Sequence, residues 1–222
     1  MRPEEIASAL RSAVRERVLR PGEALNQDEL ARRYGVSRIP VREALRTLVG
    51  EGLIIMKPGL GAVVRELKAE EVNELYGLRL QLEPPLAHDI IEHARRRDVE
   101  DLSGLLSAAD ALGSERSEEW SNFSYRFYRR LYELSERRHT VRLVVQVLNL
   151  VEPYARVHAH VLGSRDRMQV ERAEILAALR SGQASRLSQL LVFSIETARA
   201  QLVESMVEQA SNTSLAGWRE DL

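Results

Sequence analysis

Between Asn26 and Gly50 two short helical periods are separated by only Gly35-Val36-Ser37, and few folds accommodate that spacing. Asn26 is a capping residue with Glu29 three positions on, a capping-box pattern that predicts a helix over 27–34. Gly35 supplies the left-handed residue that ends it. Ser37 is placed to cap a third helix over 38–50. Pro40 is harmless in its first turn, where N–H groups have no helical partner. Leu30 and Ala31 face inward, Val36 plugs the space between the helices, and Tyr34 reads as core. Val41, Ala44, Leu45 and Leu48 form a buried stripe on the third helix. This is the grammar of a helix–turn–helix.

The flanks complete a small domain. Ile6, Leu10, Val14 and Val18 recur every four residues and predict an amphipathic helix over 4–20, ended by Pro21-Gly22. Leu53–Lys57 and Ala62–Glu66 read as two short strands around Pro58-Gly59-Leu60-Gly61. Three helices and a hairpin give one compact domain over 1–66. After Leu67 the β signal disappears, and helices are predicted near 69–96, 98–112, 117–136, 139–161, 166–181 and 184–210. Pro84-Pro85 should kink or split the first of these. Residues 211–222 lack an apolar period and are expected to fray.

Beside the buried stripe of the third helix, Arg38, Arg42 and Arg46 sit four apart. One stripe held in a core and its neighbour offered outward is what a major-groove recognition helix needs. Residues 1–65 carry a net charge of +4 and the remainder −5. Of 32 basic residues only Lys57 and Lys68 are lysine, so the cationic chemistry is almost all guanidinium. Guanidinium suits bidentate contact with phosphate and guanine. The absence of cysteine excludes a disulfide scaffold, cysteine-ligated zinc, an iron–sulfur cluster and a thiol nucleophile. The chain has no run of membrane-spanning length and no apolar leader, so a cytoplasmic protein without a membrane partner is expected. No His/Asp/Ser constellation or glycine-rich phosphate loop supports an enzyme, since Gly59-Leu60-Gly61 lies in a hairpin.

The run LRPGEALNQDELARRYGVSRIPVREALRTLVGEGLI, followed by PGLGAVV, resembles the winged helix–turn–helix of GntR-family transcription regulators throughout residues 20–63. The resemblance implies DNA contacts at Ser37, Arg38 and Arg42, with Arg46 on the same edge, and at a wing comprising Lys57, Pro58, Gly59 and Gly61. A further contact position falls on Asp28, where a carboxylate is a poor partner for phosphate. Farther on, Leu75-Tyr76-Gly77-Leu78-Arg79-Leu80-Gln81-Leu82-Glu83 resembles the opening helix of the FadR-like branch with its FCD domain, over about 70–207. The implied fold class is mainly α: an N-terminal winged helix–turn–helix, then an all-α antiparallel bundle over 67–210 that senses an effector and dimerises. The expected partners are double-stranded DNA with an inverted-repeat operator, a small-molecule effector and a second copy of the chain.

Many relatives in that branch hold a divalent metal with one Asp and three His, and the corresponding positions here are Ser124, Tyr128, Arg172 and Ser194. His88 and His93 diverge on a helix, and His158 and His160 point to opposite sides, so no substitute site is rebuilt and neither metal nor cofactor is expected. What remains is a candidate effector pocket of Arg79, Ser124, Tyr128, Arg172 and Ser194, with Tyr154 or His158 nearby. Arg172 offers a permanent cation for a carboxylate effector. The alternative is a closed pocket filled by Tyr128, with Arg172 turned toward Glu171 or Glu174, in a constitutive dimeric regulator.

Overall fold

The computed structural model describes the backbone of residues 1–111, 117–161 and 165–220, with side chains at all of these except 110, 117–121, 157–161, 165–166 and 209–220. The chain divides into two compact units, Met1–Leu67 and Lys68–Leu222. No helix of the described residues is long and apolar enough to cross a membrane.

The first unit comprises α1 (Pro3–Arg15), β1 (Ala24–Leu25), α2 (Gln27–Tyr34), α3 (Arg38–Gly50), β2 (Ile54–Lys57) and β3 (Gly61–Val64). Ile6, Ala7, Leu10 and Val14 of α1 pack against α3, which buries Val41, Ala44, Leu45 and Leu48. Arg11 fastens the two helices by a two-pronged bond to Glu51, at 2.7 and 2.6 Å. The first helix stops five residues short of the predicted end because Arg17 takes a left-handed conformation, φ 57°. That twist turns Val18 outward, 60% exposed, and buries Leu19 instead. Tyr34 is half-buried rather than core, since it ends α2 beside the exposed Gly35.

Asn26 caps α2 as its sequence position requires, its Oδ1 accepting from the N–H groups of Asp28 (2.9 Å) and Glu29 (3.2 Å). Gly35 follows with φ 64°, and the N–H of Val36 returns to the carbonyl of Ala31 at 3.0 Å. Asn26→Ala is expected to cost roughly 1 kcal/mol of stability, read from the midpoint of urea unfolding, with Asp restoring most of it. The sheet has an antiparallel strand that the sequence did not announce: its order is β1-β3-β2, with Ala24 opposite Val63 and Ile54 opposite Val64.

The second unit is a helical bundle: α4 (Ala69–Leu82), a 3-10 turn (Pro84–Leu86), α5 (Ala87–His93), α6 (Arg96–Asp110), α7 (Ser117–Tyr132), α8 (Arg138–Val161), α9 (Arg165–Arg180) and α10 (Ala184–Glu220). Pro84-Pro85 splits the first predicted helix as expected, because neither residue can donate a backbone N–H. Leu86, Ile90, Leu102, Phe127, Leu131, Tyr132, Ile175, Leu187 and Leu191 form the centre of the core. The long α10 packs against α4, α5, α8 and α9. Its backbone continues helical through 211–220, where fraying was expected. Extending an existing helix needs no new nucleus, so a weak apolar pattern does not stop it.

Candidate nucleic-acid interface and ligand pocket

In α3 the buried stripe fixes the helix and leaves Arg38, Arg42 and Arg46 exposed on the adjoining face. The three arginines are in different states. Arg46 bonds Glu43 on its own helix at 3.1 Å, and Arg38 forms an ion pair with Asp28 of α2. Arg42 makes no hydrogen bond or ion pair among the described residues. Ser37 stands at the N-cap with extended backbone, but its hydroxyl makes no capping bond, contrary to its predicted role. An exposed Ser hydroxyl left out of the cap is available to an external acceptor.

The wing is the β2–β3 hairpin. Lys57, Pro58, Gly59, Leu60 and Gly61 are all exposed, with Lys57 opposite Gly61. Gly59 and Gly61 have φ of 77° and 75°, a turn that side-chain-bearing residues adopt only with strain. Ile39, 64% exposed beside Arg38 and Arg42, and Leu60 at the hairpin tip are apolar groups that the sequence reading passed over. Their signal was present, since Ile39 lies off the buried stripe of α3. Apolar contacts of this kind read thymine methyls or wedge into a groove.

In the helical unit, Ser124 and Tyr128 on α7, Arg172 on α9 and Ser194 on α10 come together around one cavity of about 100 Å³. Tyr128 Oη and Ser194 Oγ are 2.8 Å apart. Arg172 donates to Ser124 Oγ at 2.6 Å, and its guanidinium lies 5.6 Å from the centre of the Tyr128 ring. Arg172 is therefore turned toward Ser124 and Tyr128, while Glu174 pairs with Arg186 at 2.5 Å. Two hydroxyls, a phenol and a guanidinium offer no imidazole or carboxylate at the four positions, and the set does not suit a divalent cation.

Burial sets the electrostatics of the cavity. Arg172 is 3% exposed, and desolvation lowers its pKa, partly offset by the carboxylates of Glu171 and Glu152. Desolvation raises the pKa of Tyr128, which keeps its proton, and that of Glu171, partly offset by Ser194 and Arg167. Arg79 also lines the cavity, but its charge is already committed: it bonds Glu83 at 2.6 and 3.2 Å, stacks on Tyr76, and Glu83 accepts from Tyr132. Burial alone would lower the pKa of Arg79, and the Glu83 carboxylate more than reverses this, so the guanidinium stays protonated.

Tyr154 does not line the cavity; it is half-buried on α8, where its neighbours Glu152, Ala155 and Arg156 form the wall instead. The helical period places those three on the inner face and turns Tyr154 aside. The side chain of His158 lies outside the described residues. Arg156 and Arg167 are pocket residues that sequence reading did not select, because charged side chains on amphipathic helices look solvated until the packing is known. Glu152 and Glu171, read only as carboxylates without a convincing third ligand, line it too. With Arg79 paired to Glu83, three arginines, Arg156, Arg167 and Arg172, face two glutamates, Glu152 and Glu171, and the lining keeps one excess positive charge.

Outside that cavity, the potential metal ligands Asp89, Glu92 and His93 lie close together among the described residues. Asp89 is already engaged by Ser135 Oγ at 2.5 Å and the N–H of Glu136 at 2.8 Å. His93 Nδ1 is 2.8 Å from the Asp89 carbonyl oxygen, which leaves a structural tie at a helix end rather than an open cage.

Residues 3–64 match the family described as bacterial regulatory proteins, gntR family, and residues 74–197 match the FCD domain. The chain is 30% identical over 134 residues to an uncharacterised HTH-type transcriptional regulator, YdhC of Bacillus subtilis, covering 60% of each chain. It is 33% identical over 125 residues to the Nta operon transcriptional regulator of Aminobacter aminovorans, covering 56% of this chain and 60% of that one. The matches thus span about 60% of the length of these relatives. A crystal structure of a transcriptional regulator, GntR, from Rhodococcus sp. RHA1 superposes with a TM-score of 0.78 at 25% identity, covering 91% of this chain and 97% of that one.

Proposed function

This chain belongs to the GntR family of bacterial regulatory proteins and carries an FCD domain, and from that premise we propose that it is a DNA-binding transcription regulator, not an enzyme. The observation that carries the reading is α3, locked to its core by one stripe while Arg38, Arg42 and Arg46 stand outward beside an exposed, glycine-turned wing. Residues 1–66 read DNA, with Ser37, Arg38, Arg42 and Arg46 at the major groove and Lys57, Gly59 and Gly61 in the wing. Residues 67–210 dimerise and hold the effector. Two copies related by a two-fold axis meet an inverted repeat, because a dimer's symmetry is mirrored in its operator.

The test is fluorescence anisotropy of the full chain on duplexes it selects from a random library. The selected sites should contain an inverted repeat, with two chains bound per duplex. Arg42→Ala should weaken binding about 5- to 150-fold and relax preference at particular base pairs, as expected for loss of a base contact worth about 1–3 kcal/mol. Equal weakening on every sequence, with a shallower salt dependence, would assign Arg42 to phosphate instead. Unchanged binding would remove α3 as the reading element.

The effector of this reading is a small carboxylate-containing metabolite, held in the cavity by Arg172 with Tyr128, Ser124 and Ser194 as hydrogen-bonding partners, and without a metal. What supports it is a buried cation at the wall of a cationic cavity. An engineered apolar cavity of ~150 Å³ holds benzene, so the volume here suits a molecule of only a few heavy atoms. A second reading, a constitutive dimer with a closed helical unit, is favoured by the bonds these four residues make with one another.

A further inference from the structure

Asp28 stands in the first turn of α2 and places its carboxylate against Nε of Arg38, the first residue of α3. Both side chains are on the surface, 71% exposed for Arg38 and 50% for Asp28. An ion pair so exposed contributes little to stability, because water screens it and two flexible chains must be held still. Its consequence is geometric. A guanidinium gripped at Nε keeps its Nη donors free, and that edge is one with which Arg reads the O6 and N7 atoms of guanine.

The ends of the two helices explain why the pair forms. α3 has no acidic residue in its first turn, and Ser37 gives no side-chain cap, so Arg38 is a cation at the positive end of a helix dipole. Asp28 is an anion at the positive end of its own helix, and its backbone is fixed by the bond from its N–H to Asn26. Its carboxylate offsets the misplaced charge of Arg38 from the neighbouring helix. Arg42, one turn farther along, shows what the stripe looks like without such a partner.

We infer that Asp28 is a specificity-determining positioning residue: it holds Arg38 ready for a base edge and opposes binding to the phosphate backbone alone. The inference rests on the DNA-reading proposal above. Sequence-specific contacts gain because Arg38 enters the groove with its torsions already restricted. Non-specific contacts lose because a fixed negative charge sits beside the cation that would otherwise neutralise a phosphate.

The experiment compares the wild-type full chain with Asp28→Ala, Asp28→Glu, Arg38→Ala and the Asp28→Ala/Arg38→Ala double variant. The probes are the library-selected duplex, the same duplex with single base-pair changes, and a random-sequence duplex, across a salt series. Asp28→Ala should bind the random duplex several-fold more tightly, with a steeper salt dependence. It should also lose about two- to fivefold discrimination at one base pair in each half-site, the scale of an exposed ion pair. Asp28→Glu should retain most of that discrimination, and in the Arg38→Ala background Asp28→Ala should no longer alter it.

Wild-type discrimination in Asp28→Ala overturns the Asp28 assignment and leaves the DNA-reading proposal standing. A loss of discrimination that persists undiminished without Arg38 also overturns it, since the effect would then not run through that side chain. If the wild-type chain selects no sequence at all, the DNA-reading proposal fails and this inference fails with it.

Discussion

Glu83→Ala should destabilise the helical unit by about 3–5 kcal/mol, enough to bring it near unfolding at ambient temperature. Glu83 is fully buried, and its removal strands the Arg79 guanidinium in the interior and deprives Tyr132 of its acceptor. The penalty comes from the charge left behind, since an uncompensated buried ion keeps its desolvation cost without the attraction that offset it. The double replacement Arg79→Met/Glu83→Leu should therefore recover most of the loss. Urea unfolding followed by circular dichroism reads both. A loss below about 1 kcal/mol for Glu83→Ala would mean that water reaches the pair, against the burial seen.

The second large effect is functional. Arg172→Ala should weaken binding of a small carboxylate by about 10- to 150-fold, the loss of a charge-assisted contact worth about 1.5–3 kcal/mol, while DNA affinity without effector is retained. Formate, acetate and glycolate, small enough for the cavity, are suitable probes, followed by thermal shift and by release of the selected duplex. Treatment with a chelator should change neither the melting temperature nor the affinity for acid. Stoichiometric metal in the purified protein, lost together with stability on chelation, would overturn the metal-free reading. If no acid in a broad panel shifts the melting temperature, the constitutive dimer becomes the better account.

What sequence alone could locate follows the range of the forces involved. Asn26, Gly35 and the stripe Val41-Ala44-Leu45-Leu48 act within a turn or two of the chain, so their positions and the helix–turn–helix were readable directly. β1 is two residues long and exists only because β3 pairs with it, a tertiary fact with no local signature. Val18 kept the helical period, and only the left-handed turn at Arg17 took it out of the core. The four cavity positions were found through the family resemblance, not through any local pattern. Arg79 was placed at the pocket through the family resemblance, but its bond to Glu83 four residues on, and the burial of both, appear only once α10 covers α4 and Tyr132 closes over them. Tyr154, expected near the pocket, is turned aside because the helical period brings Glu152, Ala155 and Arg156 to the wall instead.

The scarcity of lysine has a practical side. Lys57, exposed where β2 enters the wing, and Lys68, exposed just before α4, are the only two primary-amine side chains in the sequence. The arginines of α3 do not react with acylating reagents under conditions that modify amines. A mild acylation thus marks Lys57 in the hairpin, together with Lys68 and the α-amino group, while leaving α3 chemically untouched, and protection of Lys57 by a duplex would isolate the hairpin's share of any footprint. The same distribution bears on acetylation as a regulatory mark: it has two side chains to act on, and one of them stands in the wing.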